Sequence, residues 1–178
     1  MLLTARFASA YASETDPPGR PASGPSPSSN DPAPGTRTPR RILLVEDDPV
    51  VRHVVRLLLE LEGDTVLEAK DGEEALSLAT GYQGTLDLLL TDVMMPGLSG
   101  AEVCERVRHG RPGLPTLFIS GFYPEAVFPE QKLPDASAFL AKPFMPEELM
   151  EAVDELFAKL SGADADAGRR ARGRKSAF

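Results

Sequence analysis

Cysteine is nearly absent. Cys104 is the only one in the 178-residue chain, so no disulfide can form within it and a reducing cytosol is the simplest setting. Cys104 itself reads as helix packing. Long apolar runs are missing too. No window approaches the roughly eighteen apolar residues of a membrane span, and the opening "MLLTARFASAYASETD" lacks the basic start and continuous apolar segment of a secretory signal. Residues 1–13 carry Arg and Ser without acids, which is the one feature that would suit an organellar presequence. Gly-rich phosphate loops of the P-loop or dinucleotide type do not occur, which disfavours a nucleotide-binding enzyme. Of the two histidines, His53 sits among Arg52 and Arg56 and reads as a solvated helix face rather than a phosphoryl carrier. His109 stands at a helix end, where the dipole favours it without any function.

Basic residues are scarce where the chain is most apolar. Residues 41–160 hold 22 acids against 10 bases, whereas residues 161–178 hold 2 against 5. Such an acidic middle repels a polyanion and argues against direct nucleic-acid binding by that unit. The tail "RRARGRK" could touch phosphates or headgroups, but a short basic end is ordinarily a solvated tail.

Residues 1–39 are dominated by Pro, Ser, Gly and Asp ("DPPGRPASGPSPSSNDPAPGTRTP") and are expected to be disordered, because they cannot bury enough surface to offset their ordering entropy. The same expectation covers residues 161–178. Between them, residues 40–160 form one unit in which short apolar runs alternate with amphipathic helices, the pattern of a parallel sheet with covering helices. Strands are expected at "RILLV", "DTVLEA", "LDLLLTD", "PTLFIS" and "SAFLA". "LDLLLTD" is apolar on both faces and therefore central. The first helix starts with Asp48 as N-cap and Pro49 in its first turn, and ends at Gly63. Asp71 with Glu74, and Ser99 with Glu102, stand in capping-box spacing before the second and third helices. The last helix is "MPEELMEAVDELFAKL". Pro124, Pro129 and Pro134 restrict any helix between the fourth and fifth strands to a turn or two. The resulting fold class is α/β, a doubly wound five-stranded parallel sheet with helices on both faces.

In such sheets functional groups gather beyond the carboxyl ends of the strands. Those ends carry Glu46, Asp47 and Asp48 after the first strand, Asp92 at the third, Ser120 at the fourth, and Lys142 with Pro143 at the fifth. Asp47 and Asp92 at neighbouring ends would repel unless a cation lies between them, and hard oxygen ligands suit Mg2+. A lysine and a hydroxyl facing the same pocket suit an incoming phosphoryl group. Asp92 can then act as a nucleophile toward phosphorus. The loop "VMMPGLSG" behind it can bring the Met94 carbonyl to the metal. Asp48 reads as a helix cap rather than a ligand.

The motifs "ILLVEDD", "DLLLTDVMMPGLSG", "LFISG" and "FLAKPF", in this order and spacing, closely resemble the receiver domain of two-component response regulators, across residues 40–160. "LFISGFYPEAV" and "FLAKPFMPEEL" look most like receivers attached to hybrid histidine kinases. The resemblance implies a flavodoxin-like sheet of order 2-1-3-4-5. It implies phosphorylation of Asp92 by the phosphohistidine of a sensor kinase or histidine phosphotransfer protein. Asp47 is then the principal Mg2+ carboxylate, with Glu46 assisting and Met94 supplying a carbonyl. Ser120 hydrogen-bonds the phosphoryl group, Lys142 pairs with it, and the Lys142–Pro143 bond is cis. Phe139 takes the aromatic switch position, where it could equally be core filler. The commoner Tyr is absent there, so this ring carries no hydroxyl for an output contact. Met94 and Phe122, two residues beyond Asp92 and Ser120, occupy positions that govern water access in the family. Both are bulky and apolar, so a long-lived phosphoaspartate is expected.

Three functions compete on this reading. A stand-alone cytoplasmic receiver would pass its signal through protein contacts or phosphate transfer, since no output segment is recognised after Leu160. The proline-broken fourth helical slot makes a phosphorylation-driven homodimer through that face less favourable. A phosphohydrolase would commonly place a second carboxylate two residues after the nucleophile, but Met94 stands there, so only self-phosphorylation and dephosphorylation are expected, without multiple turnover. A phosphorylation-independent binding module would have no need of Asp47, Asp92, Ser120 and Lys142 together.

Overall fold

The computed structural model describes residues 38–122 and 133–173, with side chains as far as Ser161. The disorder expected for residues 1–37 and 174–178, and the proline-broken slot at Pro124 and Pro129, lie outside the described residues. In chain order the elements are β1 (Arg41–Val45), α1 (Pro49–Leu61), β2 (Thr65–Ala69), α2 (Gly72–Gly81), β3 (Leu88–Asp92), α3 (Gly100–Gly110), β4 (Thr116–Ser120), β5 (Ser137–Ala141) and α4 (Pro146–Gly173). All strand pairs are parallel, in the order β2-β1-β3-β4-β5. The doubly wound α/β reading therefore holds.

Strand alternation divides the core. Ile42, Leu44, Leu88, Leu90, Leu117 and Ile119 pack with Val55 and Leu59 of α1 and Leu149, Val153 and Leu156 of α4. Their sequence neighbours Leu43, Val45, Leu89 and Phe118 face the other way, onto Ala75 and Ala79 of α2 and Val103 and Val107 of α3. Successive side chains on a strand point to opposite faces, so two helices on each side bury both sets. β3 and β4 are buried at every position, so their carboxyl ends emerge from the middle of the core.

Helix starts follow local chemistry. Asp48 accepts from the amides of Val50 (2.7 Å) and Val51 (3.1 Å) ahead of Pro49. Ser99 and Glu102 form a reciprocal box. At α2 the box is half made: Asp71 accepts from the Glu74 amide, while the Glu74 carboxylate reaches one residue further back, to the Lys70 amide. α4 begins with Pro146, and Glu148 accepts from the Met145 amide. It continues to Gly173, where the sequence reading ends the helix at Leu160 and expects disorder from residue 161. The extension "SGADADAGRRARG" is alanine-rich and puts Arg170 and Arg172 in the last turn, where basic residues suit a helix end. Among the described residues no helix is long and apolar enough to cross a membrane.

Two arginines of the α3 region close the opposite edge. Arg108 donates to the carbonyls of Leu114, Asp135 and Ala136. Arg111 donates to those of Ala79, Tyr82 and Gly84, at and just beyond the end of α2. Each guanidinium thereby satisfies carbonyls that a helix end or loop would leave open.

Candidate functional site

Register brings the acids together. Val45 pairs with Thr91, so Glu46 and Asp92 each follow the same rung at the carboxyl ends of β1 and β3. Ligand oxygens of Glu46, Asp47 and Asp92 lie within 4.8 Å of one another, with Glu46 and Asp92 buried and Asp47 exposed. Asp48 stays outside this cluster as the α1 cap, as expected. From β5, the Lys142 ammonium donates to Glu46 Oε2 at 2.6 Å and to Asp92 Oδ2 at 2.5 Å. The Lys142–Pro143 peptide bond is cis, and the Lys142 amide is tied to the Ser120 carbonyl at 2.7 Å. Lysine and serine are thus fixed to each other at the ends of β4 and β5.

The remaining oxygen of Asp92, Oδ1, accepts from the Met94 amide at 2.8 Å. Met94 therefore belongs to the pocket through its backbone amide, while the residue as a whole is 56% exposed. Ser120 is fully buried, and its Oγ accepts from the Phe122 amide at 3.1 Å. Phe122 itself is 57% exposed. Phe139 pairs in register with Phe118 and is half-buried against the α2–α3 side of the core. His53 is exposed beside Arg56, and the Cys104 thiol is buried against the Thr116 hydroxyl, so neither enters the site.

Electrostatics are unbalanced in a way that a cation would correct. Burial pushes the Glu46 carboxyl above its ordinary range, only partly offset by the hydrogen bond and charge of Lys142. Burial alone would lower the Lys142 pKa. Its hydrogen bonds to Asp92 and Glu46, with their charges, outweigh that and hold the ammonium protonated. One ammonium cannot neutralise three carboxylates. The set of hard oxygens, two from buried carboxyls and one open to solvent, fits a divalent cation that keeps part of its water.

Two contributors were not legible as site residues from sequence. Gly100 opens α3 against the backbone of Asp92. A Cβ there would stand 2.1 Å from the Asp92 carbonyl oxygen and 2.9 Å from Thr91 Oγ1. Arg52 reaches back from α1 to the Glu46 carbonyl at 2.6 Å. The Gly in "LSG" gives a weak signal for the first; nothing local signals the second.

Comparison with known proteins agrees with this geometry. A family model described as response regulator receiver domain matches residues 42–154. The transcriptional regulatory protein ResD of Bacillus subtilis is 33% identical over 121 residues, covering 68% of this chain and 49% of that protein. The chain thus spans about half the length of that curated relative. The crystal structure of the receiver domain of the hybrid histidine kinase CckA shares 40% identity at a TM-score of 0.57, covering 65% of this chain and 97% of that one. The response regulator TrrA of Thermotoga maritima, crystallised in complex with Mg2+-BeF, shares 30% identity at a TM-score of 0.55, covering 66% and 98%.

Proposed function

The chain belongs to the response regulator receiver domain family, and from that premise we propose that it is a phosphorelay receiver whose phosphoacceptor is Asp92. The observation that carries the reading is Lys142, whose one ammonium spans Asp92 and Glu46 inside a three-carboxylate cluster. A carboxylate held at the end of a fully buried strand is a fixed nucleophile, and fixing it lowers the entropic cost of attack. An Asp92 oxygen attacks phosphorus in line. The O–P bond forms as the P–N bond of a phosphohistidine breaks, and the imidazole leaves with the electron pair and takes up a proton.

Mg2+, which is bound in the TrrA complex, would be held here by Asp47, Asp92 and Glu46 and would offset charge on the transferring oxygens. Lys142 and the Ser120 hydroxyl then pair with the equatorial oxygens of the arriving group. Lys142 must exchange a carboxylate partner for a phosphoryl oxygen, and Ser120 must turn from the Phe122 amide. That turn would open space for Phe139 to move toward the core, giving the switch.

The donor is a histidine kinase or histidine phosphotransfer protein, met in the cytoplasm. α1 starts immediately beyond Asp48 and exposes Val50, Val54, Leu57 and Leu61 at helical spacing, the kind of apolar stripe that a protein partner covers. Output follows through protein contacts or onward phosphate transfer, and no multiple-turnover activity accompanies it.

Intact-mass analysis with Mg2+ and acetyl phosphate, beside an Asp92→Asn control, tests the reading. One Mg2+-dependent phosphate adduct, absent from the control, is expected. No adduct on the folded protein would favour a phosphorylation-independent binding module.

A further inference from the structure

Three successive carbonyls of the acidic loop end on one residue. Arg52 Nη1 donates to Glu46 O at 2.6 Å and lies 3.4 Å from Asp47 O, while the Arg52 amide donates to Asp48 O at 2.9 Å. The guanidinium is in turn anchored from β2, with Nε 3.7 Å from Glu68 Oε2. Glu68 is itself held by Arg56 Nε at 3.1 Å. The Arg52 side chain is 18% exposed, so these contacts face the protein rather than water.

We propose that Arg52 is a positioning residue that holds the Glu46–Asp48 loop in its cation-binding shape; this rests on the reading of the acidic cluster given above. Asp47 is the exposed member of the cluster, and the aim of its carboxylate is set by the peptide units on either side of it. Arg52 pins both. The side chain touches neither phosphate nor metal, and acts only through the backbone that carries the ligands.

Two effects of Arg52 on a bound cation oppose each other, which makes the proposal decidable. As a nearby positive charge it repels a divalent ion, so losing it should tighten binding. As an outer support it preorganises the ligands, and loss of such support costs on the order of 10- to 100-fold in metal affinity. Partial neutralisation by Glu68 weakens the first effect.

The test is Mn2+ binding to the full chain, read as the loss of the free-ion signal in electron paramagnetic resonance, with metal-free thermal midpoints measured alongside. Arg52→Gln is expected to weaken Mn2+ binding about tenfold although a positive charge is removed. Arg52→Lys should fall between it and wild type, because a single ammonium lacks the planar fork. Arg56→Gln removes only the outer hold on Glu68, without touching the loop carbonyls, and should weaken binding less than Arg52→Gln does. Unchanged or tighter binding by Arg52→Gln overturns the proposal, as does an equal loss in Arg56→Gln. Should Arg52→Gln fail to fold, Arg52→Lys decides: weaker binding supports the proposal and wild-type binding defeats it. If the wild-type chain binds no Mn2+, the cation-site reading itself falls, and this inference with it.

Discussion

Lys142 Nζ donates to Asp92 Oδ2 across 2.5 Å, joining the ends of β5 and β3 although the residues are 50 apart in the chain. The same ammonium holds Glu46, so its removal should act in opposite directions on two measurements. In Lys142→Met, phosphate loading from acetyl phosphate should slow by about a hundredfold or more, as when one charge-stabilising donor is lost from a reacting site. Mn2+ affinity should rise, because three carboxylates then face the ion without a competing cation. Parallel losses in both would mean that the pocket had collapsed, and would count against the assigned role.

Gly100→Ala isolates sterics, since the residue opens a helix in which alanine is otherwise favoured. The added Cβ meets the Asp92 carbonyl oxygen and Thr91 Oγ1 well inside contact distance. α3 or the end of β3 must therefore shift. We expect a loss of about 1–3 kcal/mol in urea unfolding together with slower phosphorylation. A variant as stable and as active as wild type would show that the approach is looser than described.

Much of this arrangement is written locally. "LDLLLTD" announces a doubly buried strand ending in a carboxylate, and Asp48-Pro49 announces a capped helix start, because both signals depend on neighbours within a few residues. The strand-end rule then places Asp92, Ser120 and Lys142 at one edge without coordinates. Arg52 is silent in the sequence because its partners are backbone carbonyls, which carry no residue identity. Arg111 donates to Ala79 O across 32 positions for the same reason. Glu74 and the length of α4 show the other limit: a cap pattern gives the turn but not which amide the carboxylate selects, and "SGADADAG" mixes helix formers with glycine.

The cap of α3 gives a pH prediction. The Ser99 amide, and then its hydroxyl, hold the Glu102 carboxyl below its ordinary value of 4.5. A depressed folded-state pKa contributes stability that is complete above 4.5 and is lost as the pH falls through the folded value. Glu102→Gln has no such group to titrate. Its thermal midpoint should lie below wild type at neutral pH, and the two curves should converge in acid. Curves that stay parallel down through that range would mean the carboxylate contributes nothing through its charge. Asp48 behaves likewise from its ordinary 3.8, held down by the Val51 and Val50 amides.

The lifetime of the phosphorylated state depends on what stands at the mouth of the pocket. Hydrolysis of an acyl phosphate needs a water aligned behind phosphorus, and an acceptor or donor to hold it there. Met94 and Phe122, two residues beyond Asp92 and Ser120, are 56% and 57% exposed, and neither side chain carries an N–H or O–H group. Phosphate on Asp92 should therefore persist for hours rather than minutes once the donor is removed, as followed by intact mass. Met94→Asp supplies a water-orienting carboxylate from the residue whose amide already touches Asp92 Oδ1, and should shorten that lifetime several-fold while leaving loading intact. Minute-scale loss from the wild-type protein would defeat the argument, since it would place the hydrolytic water under the control of groups other than these two side chains.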